Sequence, residues 1–103
     1  MSKYEVMYIV NANVEDEKRK ALIASQSEII TREGGKVIKL DEWGMREFAY
    51  PIDDMTKGYY VVMHFEAEAD VEKELHRLMR INGDIVRHMI INIDEIPDHQ
   101  EAK

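Results

Sequence analysis

Six patterned segments follow one another in the order strand, helix, strand, strand, helix, strand, and few folds accept that order. Residues 3–10, KYEVMYIV, alternate as a strand, with Tyr4, Val6, Tyr8 and Val10 on one face and Lys3, Glu5, Met7 and Ile9 on the other. Asn11 and Asn13 break it. Asn13 is the expected cap of a helix whose first turn carries Glu15, Asp16 and Glu17, where the positive end of the helix dipole favours carboxylates. Val14, Leu22, Ser25 and Ile29 recur at helical spacing, and Gly34-Gly35 supplies the stop. Residues 36–50 read as a second strand that would span ~50 Å if straight, so Gly44 is expected to mark a bulge or bend. Tyr50-Pro51 closes it, and Asp53-Asp54 with Gly58 reads as the polar turn of a hairpin with a projecting arm. Residues 59–66, YYVVMHFE, are apolar on both faces, as a central strand would be. Asp70 is the expected cap of a helix over about 71–81, with Val71, Leu75, Leu78 and Asn82 as its stripe, and residues 85–93 make the last strand. Pro97 ends the order, which leaves 1–96 as a single domain and 97–103 as a short flexible tail.

This order is that of a split β-α-β arrangement, an α+β ferredoxin-like fold: a four-stranded antiparallel sheet with two helices on one face. Right-handed crossovers put both helices on the same side, so the other sheet face is left open. The strands offer apolar residues on both parities, and a bare apolar face is a partner site or an aggregation hazard. Met7, Ile9, Met63 and Phe65 are the expected partner-facing residues.

Charge narrows the function. The 103 residues carry 21 acids against 14 Lys and Arg, a net charge of −7, whereas a free-standing DNA-binding domain carries a basic surplus that neutralises phosphates. Contact with nucleic acid would therefore use a few local cations or a basic partner. The absence of cysteine excludes disulfides and thiolate chemistry. No apolar run approaches the ~18 residues of a membrane span, and the N-terminus lacks a signal pattern, which argues against secretion. The histidines, His64, His76, His88 and His99, show no HxH or HxxxH spacing, so neither a metal nor another cofactor is expected; His64 and His88 are the two that a sheet would bring together. No serine sits in a nucleophile elbow and no glycine run makes a phosphate loop, so no catalytic residue is assigned. The same topology serves the RNA-recognition motif. Lys57-Gly58-Tyr59 matches the start of that motif's signature before Tyr60, Val61 and His64 depart from it. An independent single-strand binder would lean on Tyr8 or Tyr59. The cations of interest are Lys3, Arg46, Arg80 and Arg87. Arg87 lies inside an apolar strand, where its guanidinium must reach an anion, either Glu5 or a phosphate or partner group.

Several stretches carry a resemblance: Tyr4-Glu5 at the first strand, Trp43-Gly44-Met45-Arg46 with Phe48-Ala49-Tyr50-Pro51-Ile52, Gly58-Tyr59-Tyr60, and Arg80-Ile81-Asn82 with Ile85-Val86-Arg87-His88-Met89. Together they resemble the bacterial small-subunit ribosomal protein six family over nearly the whole chain, with Phe48 where that family more often has Leu. The resemblance implies a cytoplasmic, non-enzymatic component of the small ribosomal subunit. It would bind the central domain of small-subunit ribosomal RNA together with the strongly basic small-subunit protein eighteen, and be a monomer when isolated. It further implies RNA contacts by Lys3, Arg46, Arg80 and Arg87, chiefly to phosphate and sugar, with His88 and Met89 adjoining. The competing expectation is a ferredoxin-like enzyme or small-ligand domain that dimerises through its sheet.

Overall fold

The computed structural model describes residues 1–52 and 55–94. The elements are β1 (Ser2–Asn11), α1 (Asp16–Arg32), β2 (Lys36–Ile52), β3 (Met55–Ala67), α2 (Ala69–Ile81) and β4 (Ile85–Asn92). All strand pairings are antiparallel, and the sheet order is β2-β3-β1-β4. The expected ferredoxin-like architecture is therefore present, with the doubly apolar β3 in a central place. Both helices pack on one face, over a core built from Tyr4, Val6, Tyr8 and Val10 of β1, Val61, Met63, Phe65 and Ala67 of β3, Ile23 and Ile30 of α1, and Leu75 and Met79 of α2. Among the described residues, no helix is long and apolar enough to cross a membrane.

The helix starts differ from the sequence expectation. Glu15 and Glu68 occupy the cap positions in extended conformation, and neither side chain makes a capping hydrogen bond. Asn13 instead donates its backbone N–H to Asn11 Oδ1 at 2.8 Å, so the Asn pair forms a local turn ahead of the helix. Asp70 lies in the first turn of α2, where it still meets the positive end of the dipole.

The β2–β3 hairpin is longer than expected. β3 begins at Met55, so Gly58 sits inside a strand rather than in the turn; Asp53 and Asp54 lie outside the described residues. Gly44 does bend β2: its φ is +91°, and the pairing with β3 shifts register between Glu42 and Gly44. At Gly58 the reason for glycine is close approach. A Cβ there would run into Ile9 Cγ2 and stand 3.0 Å from Phe48 Cζ. Gly58→Ala is therefore expected to destabilise the fold by about 1–3 kcal/mol through overpacking, read as a lowered Tm or denaturant midpoint. An unchanged midpoint would mean that Ile9 and Phe48 both give way freely.

The parity of β3 corrects one expectation. Met63 and Phe65 are fully buried beneath the helices, so neither can meet a partner on the open face. The open-face positions of β3 are Tyr60, Val62, His64 and Glu66, one residue out of step.

Candidate functional site: the open face of the sheet

The strand register lays out the open face in rows. Across β1, Glu5 stands between His64 and Ile91, Met7 between Val62 and Met89, and Ile9 between Tyr60 and Arg87. The middle row is an apolar strip that ends at Met89, which is 56% exposed, with Ile91 beside it. Ile9 belongs to this face but is almost completely covered, and an aromatic group stands beside it, with Tyr60 as its β3 neighbour and Phe48 reaching the same side of Gly58. That group is Tyr60 stacked on Trp43, with centroids 6.4 Å apart and planes 5° apart, and tilted against Phe48 at 6.1 Å. Of the four expected partner residues, Met7 and Ile9 face this side and only Met7 is partly accessible.

Glu5 is already engaged: its Oε1 lies 2.8 Å from His64 Nε2. The Glu5–Arg87 pairing that the sequence left open is therefore not made. Arg87 is exposed and lines a groove with Glu47, Phe48, Ala49, Tyr50, Pro51 and Tyr60. The arm curls far enough over the sheet for β2 residues to share this groove with an arginine on the opposite edge strand. Arg46 is exposed beyond the bulge, its guanidinium 5.8 Å from the Trp43 ring centroid. Lys3 stands at the other end of the sheet. Its backbone N–H donates to Asp94 Oδ1 at 2.6 Å, and this bond holds the Asp94 carboxyl below its usual range. Arg80 is exposed in the last turn of α2, on the helix side.

The adjacent candidates Arg87, His88 and Met89 do not act as one group. Arg87 and Met89 face the open side, whereas His88 turns under α2, its Nε2 2.8 Å from His76 Nδ1. Burial lowers the His88 pKa, and the neighbouring His76 and Arg80 lower it further. His64 and His88 thus lie on opposite faces rather than together. The two aromatics on which an independent single-strand binder would lean are also on the wrong side. Tyr8 is fully buried in the core, which pushes its phenol well above the ordinary range. Tyr59 donates to Glu42 Oε1 at 2.8 Å and carries the Arg19 guanidinium 4.1 Å above its ring.

A family model described as Ribosomal protein S6 matches residues 3–92. The chain belongs to the ribosomal protein S6 family. The small ribosomal subunit protein bS6 of Carboxydothermus hydrogenoformans is 46% identical over 95 residues, covering 92% of this chain and 99% of that protein. That of Desulforamulus reducens is 48% identical over 95 residues, 92% of this chain and 100% of its own. The crystal structure of 30S ribosomal protein S6 from Thermotoga maritima superposes with a TM-score of 0.87 at 31% identity, covering 98% of this chain and 96% of that one. Membership in the S6 family makes the chain a structural protein of the small ribosomal subunit, placed in the cytoplasm with the ribosome.

The sequence reading missed the Trp43–Tyr60–Phe48 group and the strip completed by Val62 and Ile91. The signal was present. Once Tyr4 and Tyr8 are given to the core, the antiparallel register carries the same facing to β3 and β4.

Proposed function

We propose that this S6-family chain binds the central domain of small-subunit ribosomal RNA jointly with small-subunit protein eighteen, as a shaped protein surface rather than as an autonomous RNA binder. The observation that carries the reading is family membership over residues 3–92 in a chain of net charge −7. An acidic protein joins an RNA particle when a cationic companion neutralises most of the phosphates, and its own acids steer that companion towards it. The apolar strip from Met7 to Met89 and Ile91 supports a docking role for the open face. Lys3, Arg46, Arg80 and Arg87 supply local phosphate or sugar contacts, and the aromatic groove beside Arg87 orients that cation.

The test is a binding titration of a central-domain RNA fragment, with and without protein eighteen, alongside size-exclusion chromatography of the two proteins. The chain alone is expected to run as a monomer and to bind feebly, with a log-log salt slope near ~3–4 for four phosphate contacts. The one-to-one complex should bind more tightly and with a steeper slope. Tight binding by the chain alone would overturn the proposal. In the complex, Arg87→Ala is expected to weaken RNA binding about 5- to 30-fold and to lower the salt slope by about one, with stability changed by no more than about 0.5 kcal/mol. Loss of folding with unchanged binding per folded molecule would make Arg87 a structural residue.

A further inference from the structure

The histidines of the helix layer are used by neither the open face nor the proposed RNA contacts. His76 projects from the middle of α2 and His88 from β4, and the structure brings His88 Nε2 to 2.8 Å from His76 Nδ1 with ring centroids 4.7 Å apart. The pair stands at the surface, with His76 exposed and His88 half-buried. On one helix face, Glu72 lies one turn before His76 and Arg80 one turn after it, so opposite charges flank the pair. Tyr8, across the β1–β4 ladder from His88, is neutral and buried.

We infer that His76 and His88 form a two-imidazole site for a divalent late first-row transition metal ion, of the nickel, copper or zinc class, that ties α2 to the edge strand β4. Late transition metals take neutral imidazole nitrogens as ligands. With metal–nitrogen bonds of about 2.0–2.1 Å, two ligands at a right angle stand about 2.9 Å apart, and two at the tetrahedral angle about 3.4 Å. The observed 2.8 Å therefore fits neighbouring positions of the square or octahedral geometry of nickel(II) and copper(II). Zinc requires the rings to part by about half an ångström. The proton balance closes without an added reactant. In the free pair one ring donates N–H to the other. On binding, that proton moves through solvent to the far nitrogen of its own ring, so His76 Nδ1 and His88 Nε2 both present lone pairs and water fills the remaining positions. With two protein ligands rather than the four of a structural zinc site, the affinity is expected in the micromolar range.

This inference does not rest on the RNA reading and is tested without RNA. The full chain is titrated with nickel(II) chloride in a non-coordinating buffer near neutral pH, by calorimetry and by thermal melting. One ion per chain is expected, with a rise in Tm on the order of 10 °C at a hundredfold excess over Kd. His76→Gln alters an exposed position and should fold normally, yet lose at least tenfold in affinity and most of the rise in Tm. His88→Gln should do the same where it folds. His64→Gln and His99→Gln should leave both readouts unchanged. Wild-type affinity in His76→Gln, or a loss that follows His64 or His99, would overturn the site.

Discussion

Phe65→Ala is expected to lower the stability of the fold by about 3–5 kcal/mol, the largest effect of any single truncation proposed for this chain. Phe65 is completely buried in the central strand, and its ring stacks on Tyr4 with centroids 5.3 Å apart and planes 27° apart. Removing it withdraws apolar area from the centre of the core and leaves a cavity that neighbours on two strands and the overlying helices cannot all close. Domains of this size are stable by only ~5–15 kcal/mol, so the loss takes a large share of the total and lowers Tm by at least ~12 °C. Urea unfolding with and without protein eighteen separates the roles. Affinity per folded molecule should be unchanged, because Phe65 faces the helices and not the open face proposed for docking. A loss under about 1 kcal/mol, coupled with weakened partner binding, would return Phe65 to the interface.

Met89→Asp is expected to do the opposite: binding of protein eighteen falls at least ~30-fold while stability changes by no more than about 0.5 kcal/mol. Met89 is 56% exposed on an outer strand, so an aspartate there stays in water in the free protein. On docking it must be desolvated against the strip formed with Met7 and Val62. The sign of the charge makes the experiment clean. An added carboxylate attracts a basic companion at long range, so any loss of affinity reports the cost of burial and not repulsion. Calorimetric titration with the purified partner measures it. Unchanged or tighter binding would place the docking surface away from β4.

Much of the fold was legible in the sequence because each element carried its own local signal. The alternation in β1, the Gly34-Gly35 stop and the bend at Gly44 are short-range features that the tertiary structure kept. What was not legible had to be settled across strands. β3 is apolar at Val61, Val62, Met63 and Phe65, so its own sequence does not say which parity faces the helices, and the expectation of Met63 and Phe65 on the open side is one residue out of step. Gly58 carried a turn signal but serves close packing against Ile9 and Phe48, and both partners are distant in sequence or across the hairpin. At the helix starts, capping propensity favoured Asn13 and Asp70, yet Glu15 and Glu68 hold those positions without a side-chain bond. Of the site, the cations were visible as residue types. Their grouping was not: neighbours 87 and 88 part to opposite faces, and His76 meets His88 at a separation that no ligand-spacing rule covers.

The bent outer strand β2 bears on how copies of this molecule behave when crowded. Its free edge is long enough to recruit an identical strand from a neighbour, the first step towards fibrous association. Lys36, Lys39, Asp41, Glu42, Arg46 and Glu47 stud that edge with mixed charge, and the left-handed Gly44 breaks the straight run of amides that such zippering needs. The outer edge of β2 is thus built against strand-to-strand pairing between copies.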